Sequence, residues 1–110
     1  MRTIKISDNP HQSFRIEFEN KDIECEVRYL TSTQIWTLSI AYDGKTISNH
    51  KISCGVFMFK QHNLPFDIGI VNNTKTGIDP YLINDFSAGR YEMILFDRDD
   101  MEYLRGYEVE

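Results

Sequence analysis

The chain has 110 residues, 41% hydrophobic and 26% charged, which is ordinary globular usage and excludes disordered and fibrous classes. Its formal net charge of −5, with basic residues scattered rather than clustered, would repel a phosphate-rich partner and argues against specific nucleic-acid binding. The length fits one β domain over residues 1–110, and no apolar run approaches membrane-spanning length. At the start, Met1 to Asp8 interleaves charge with apolar residues, so no secretory signal is expected and the chain is placed in a reducing cytoplasm. The glycosylation-like triplet Asn72-Asn73-Thr74 would then be idle.

Arg2 to Ser7 alternates, with Ile4 and Ile6 on one side, until Asp8-Asn9-Pro10 ends the run. Phe14, Ile16 and Phe18 then face one way and Arg15, Glu17 and Glu19 the other, the period of a strand with one buried face. A turn is expected at Asn20-Lys21. Ile23, Cys25, Val27 and Tyr29 take up the inward face beyond it, and Thr31-Ser32-Thr33 leads to the next strand. Trp36, Leu38, Ile40 and Tyr42 alternate with Thr37, Ser39 and Ala41, and Asp43-Gly44 supplies the residues that best tolerate the positive φ of a tight hairpin. The chain returns through Thr46 and Ile47. These strands follow one another with short connections, as in an antiparallel meander.

Val56-Phe57-Met58-Phe59 is apolar at every position, and Leu64-Pro65-Phe66 continues the theme. A strand affords such a run only if both faces are covered or one is kept for a partner. Two readings follow. The run is a core strand or turn of helix, or else Val56, Phe57, Met58, Phe59, Leu64 and Phe66 form a partner interface. Ile68, Ile70 and Val71 make a short strand that runs into a polar tip at Asn72 to Gly77. Asp79-Pro80 has the residues of a helix N-cap and first turn, and with Gly89 close behind only a short helical stretch carrying Tyr81, Leu82 and Phe86 fits. Tyr91 to Asp97 is the last strong strand, followed by an acidic turn and an edge strand at Tyr103 to Tyr107. The expected class is all-β, a small antiparallel barrel or sandwich built from consecutive hairpins, with one short helical turn near Asp79 to Phe86.

Chemistry-bearing residues form no recognisable set. His50, Cys54 and His62 lack the paired spacing of zinc ligands, and His11 reads as a solvated turn residue. Asp97, Asp99, Asp100 and Glu102 would crowd carboxylates, but Glu102 stands where a calcium loop needs glycine. A glycosidase pair would need a cleft that nothing in the sequence supplies. There is no Gly-x-Ser-x-Gly elbow and no phosphate-cradling run of glycines. Cys25 and Cys54 read as small buried thiols. Trp36, with Tyr29, Tyr42 and Tyr91, is either core or a carbohydrate platform. No metal, cofactor or catalytic activity is expected.

The order of these pieces resembles the plug proteins of contractile phage tail baseplates, the cyanophage type, over roughly Phe14 to Asp97. The residues that carry it are Trp36 to Ile40, Asp43-Gly44, the apolar run ending at Phe59, Leu64 to Ile70, Asp79-Pro80 with Asp85-Phe86, and Tyr91 to Phe96. The chain departs from the pattern at Phe86-Ser87-Ala88-Gly89, where a Leu-Gly pair is expected, and in its longer tail after Asp97. The resemblance implies a structural virion protein of the tail baseplate, assembled in the host cytoplasm, without enzymatic activity. It implies cyclic packing, three- or six-fold, with other copies of itself and with hub, spike and tail tube proteins, so as to seal the axis. The negative charge suits a channel lining that does not hold passing DNA. A small ligand- or carbohydrate-binding β module is the alternative.

Overall fold

In a computed structural model, which describes residues 1–55 and 58–108, the chain forms two antiparallel sheets and one C-terminal helix. The larger sheet is the expected meander of β2 (His11–Phe18), β3 (Lys21–Leu30), β4 (Ile35–Tyr42) and β5 (Lys45–Lys51). Its register sets Phe14 opposite Cys25, Ile16 opposite Ile23, Val27 opposite Leu38 and Tyr29 opposite Trp36, so one apolar face is continuous across the strands. The β2–β3 turn falls at Glu19-Asn20, one residue earlier than expected. Those two positions hold the positive φ angles, 50° and 66°, and Lys21 already pairs with Phe18. Asp43 and Gly44 make the other tight turn with φ of 49° and 81°. Within the β4–β5 pair the register slips after Leu38, and the Ser39 hydroxyl accepts the Asn49 amide at 2.8 Å.

The smaller sheet has the order β1 (Arg2–Ile4), β7 (Tyr91–Phe96), β6 (Asp67–Asn72). After β5 the chain crosses from one sheet to the other. The Ile52 amide still donates to Trp36, whereas Gly55 exchanges backbone bonds with Ile70 and the Met58 amide donates to Ile68. The result is an open sandwich; neither sheet closes into a barrel among the described residues. Between the sheets Phe18, Tyr42 and Phe66 meet edge to face with centroids 5.2 to 6.0 Å apart, and Trp36 meets Phe86 at 5.2 Å. Such pairs add roughly 1 kcal/mol each beyond the burial of their area.

Three local expectations are corrected. Residues Asp79 to Phe86 form an irregular stretch ending in a turn and not a helix, because the Tyr81 and Leu82 amides are taken by a carboxylate, as described below. His11 sits in β2, with Nε2 at 3.2 Å from Glu26, instead of in a turn. The tail from Arg98 is a helix, α1 (Arg98–Glu108), and not an edge strand. The acidic knot is its start. Asp97 Oδ1 accepts the Asp100 amide at 2.8 Å, and Asp100 Oδ2 accepts the Asp97 amide in return, a reciprocal capping box. Met101 and Leu104, one helical turn apart, cover Ile94 and Phe96 on the outer face of β7, which is why that strand is apolar on both sides.

Candidate assembly surface

Of the residues expected at a partner interface, Phe59 and Phe66 are 1% exposed and Leu64 is 9% exposed, all inside the chain's own core. In this fold they are not surface anchors. The physical reason is Asp67, itself buried, whose Oδ1 accepts the amides of both Phe59 and Ile68 and so turns the loop before β6 back beneath the sandwich. Met58 is partly buried against the same core, and Val56 and Phe57 lie outside the described residues.

A second irregular segment, between β6 and β7, is held by two further carboxylates. Asp79 Oδ1 accepts the Cys54 amide at 2.9 Å, and its other oxygen lies 3.5 Å from Lys51 Nζ. Asp85 Oδ2 accepts the amides of Tyr81 and Leu82, both at 2.8 Å, while its Oδ1 accepts Arg90 Nε at 2.7 Å. From the core side, the Tyr29 and Tyr91 hydroxyls and Trp36 Nε1 donate to the carbonyls of Tyr81, Ile78 and Leu82. Backbone polarity is therefore directed inward, where the aromatic tips need partners, and side chains are turned out. Ile78 is 53%, Tyr81 42% and Ile83 37% exposed, three of the seven large apolar residues on the surface among the described residues. The sequence carries a signal for this: Asp79 stands out in it as the cap of a helix, and Asp85 only as part of the Asp85-Phe86 piece of the family resemblance.

The polar residues weighed as chemical sites are engaged elsewhere. His50 and His62 pack against the Phe59 ring at 5.1 and 6.1 Å, and no group of three His, Cys, Asp or Glu side chains among the described residues could hold a metal ion. Cys25 and Cys54 are free thiols rather than a disulfide. Burial pushes the Cys25 thiol up to about 12, and burial first, then Asp79, raises that of Cys54, so neither is a ready nucleophile at neutral pH. Trp36, Tyr29, Tyr42 and Tyr91 are all buried and form no carbohydrate platform. A shallow concavity of about 590 Å³ lies on the outer face of the meander between Ser13, Arg15, Glu24, Arg28, Ser39 and Asn49. Arg15 pairs there with Glu24 at 3.3 Å, and nearby Arg28 pairs with Glu26 at 3.1 Å, so the cations are already engaged. No helix is long and apolar enough to cross a membrane among the described residues.

What the geometry offers is a rigidly held, irregular loop that presents apolar side chains, on a scaffold without an assembled reactive set among its described residues. That combination suits contact with another protein better than chemistry on a small molecule. No curated protein matches the sequence. The family described as Cyanophage baseplate Pam3 plug gp18 does match it, over residues 1–98, and those residues take in every strand, both aspartate-held loops and the first residue of α1. The chain therefore belongs to that family of phage tail baseplate plugs, whose place in the virion is structural.

Proposed function

We propose that the chain seals the axis of a contractile tail baseplate by packing several copies of itself, with three- or six-fold cyclic symmetry, between the tail tube and the hub and spike. It does so without catalysis, and it joins the baseplate in the host cytoplasm during assembly. The observation that carries this reading is the family match across residues 1–98. The exposed Ile78, Tyr81 and Ile83 support it as contact residues, and on sequence grounds alone the apolar Val56-Phe57-Met58 run is a further contact segment. The net charge of −5 supports a lining that DNA passes without being retained.

The test is the native mass of the purified chain, alone and mixed with the hub, spike and tube proteins encoded beside it. A ring, or a defined complex with those neighbours, is the expected result. Ile78→Asp and Ile83→Asp should each abolish it while leaving the unfolding midpoint nearly unchanged. A chain that stays monomeric in every mixture, or a complex indifferent to both substitutions, would count against the reading.

A further inference from the structure

The sheet edges of this molecule are not treated alike. β5 carries the register slip, Lys45 and Lys51; β1 is only three residues long; the outer side of β6 is bonded by Gly55 and Met58. Each is a recognised way of blunting an edge against another chain. Among the described residues, β2 has no lysine, no bulge and no crossing segment along its middle, and its charges, Arg15 and Glu17, are of opposite sign. It runs eight residues, and its inward Gln12, Phe14 and Ile16 are only partly buried, although Ile23 and Val27 on the adjacent strand are fully so.

Backbone alternation shows which groups that edge leaves open. The Tyr29 amide donates to the Pro10 carbonyl at 2.8 Å, so the even-numbered residues of β2 bond β3 and the odd-numbered ones point their N–H and C=O away. At the two ends these outward groups are already occupied: Asn9 Oδ1 accepts the His11 amide, and Arg2 Nη2 donates to the Glu17 carbonyl. Ser13 and Arg15, in the middle, keep both of theirs unpaired among the described residues.

We propose that β2 pairs antiparallel with β2 of a second copy across a two-fold axis at Phe14. In that register Ser13 faces Arg15 of the other copy, twice, and their open groups form four backbone hydrogen bonds. Phe14 meets its own copy on the inner face, covering the half-exposed rings, and His11 stands opposite Glu17. Neighbouring registers are worse. An axis at Arg15 sets like charges directly opposite each other. An axis at Ile16 pairs Arg15 with the Glu17 carbonyl that Arg2 already occupies, and leaves Ser13 opposite Glu19, a turn residue with φ of 50°. The contact is isologous, so it cannot itself build a ring and stands independently of the plug reading.

The experiment uses the full chain with Cys25→Ala and Cys54→Ser, because Cys25 lies directly opposite Phe14 in the same chain and would compete for a thiol introduced there. Phe14→Cys places two thiols across a non-hydrogen-bonded antiparallel pair, where Cα atoms lie about 4.5 Å apart, within disulfide reach. It should cross-link under mild oxidation at least several-fold more than Ile16→Cys, which would face Gln12. Under conditions where no ring assembles, the unsubstituted chain should have twice its 13.0 kDa mass in solution, and Ser13→Pro, which removes an outward N–H only, should restore the monomer. Equal cross-linking of the two cysteine variants, or none in either, overturns the proposal; if Ser13→Pro fails to fold, that comparison decides alone. A ring that forms without any Phe14→Cys cross-link overturns the β2 contact and leaves the plug reading standing.

Discussion

Arg90 Nε donates to Asp85 Oδ1 at 2.7 Å, and the carboxylate that receives it is 1% exposed. The same side chain accepts the Tyr81 and Leu82 amides, and the Asp85 carbonyl accepts those of Arg90 and Tyr91, so one residue ties both ends of the segment from Tyr81 to Tyr91 that presents Tyr81 and Ile83. Asp85→Ala leaves two amides and a guanidinium without their acceptor. Breaking a buried ion pair from one side costs about 3–5 kcal/mol, and because Arg90 is partly exposed the lower end is expected. Urea unfolding of the variant measures it; a loss below about 1 kcal/mol would mean the loop is shaped by something else.

Burial separates Phe66, one of the residues expected from the sequence at an interface, from Ile83, which the fold exposes. Phe66→Ala should destabilise by about 3–5 kcal/mol, since the ring fills the junction of Phe18 and Tyr42. Phe66→Asp should leave the chain unfolded. Ile83→Asp, on the surface, should shift stability by no more than about 0.5 kcal/mol and act only on assembly. Thermal unfolding beside native mass distinguishes the two outcomes, and the assignment fails if the Phe66 variants fold normally.

These contrasts mark where the sequence is legible. Period-two alternation from Phe14 to Tyr42 translates directly into the meander, because burial of one face forces its register and Asp43-Gly44 admits one kind of turn. Val56 to Phe66 was ambiguous for a physical reason: an apolar run looks the same whether it faces a partner or a loop-closing carboxylate such as Asp67 turns it inward. Asp79-Pro80 has the composition of a helix start, but Asp79 caps the Cys54 amide of another segment, a long-range partner that local pattern cannot reveal. The tail failed in the opposite sense, since its acidic cluster was a local N-cap read as a solvated turn. Within the candidate surface, the aspartates that hold it were visible and the outward side chains were not.

Helix α1 begins at Arg98, where the family match ends, and among the described side chains Met101 and Leu104 hold it to the sandwich. An isolated helix of 11 residues is marginal in water, so the Met101 and Leu104 contacts and the cap must sustain it. Asp97→Ala should cost about 1 kcal/mol and Met101→Ala about 2–3 kcal/mol. Hydrogen exchange should show the α1 amides opening well before those of β3 and β4 in both variants. Unchanged protection of α1 in Asp97→Ala would refute the capping assignment.

Alkaline pH gives a test of the core itself. Burial pushes the Cys25 thiol up to about 12 from an ordinary 9.0, so above pH 9 the unfolded chain releases a proton that the folded chain keeps. The stability this contributes is fully present below the unfolded value and is lost as pH rises toward the folded one, with a slope of about 1.4 kcal/mol per pH unit over that window. Cys25→Ala lowers stability at neutral pH through lost packing, but it removes this slope. The gap between the native chain and the variant should therefore narrow as pH climbs above 9, while lysines and tyrosines titrate alike in both and cancel. Urea midpoints for the two proteins across neutral to alkaline buffers measure the gap directly. Parallel curves would mean that Cys25 ionises as readily in the folded chain as in the unfolded one, and that water reaches the inner face of β3.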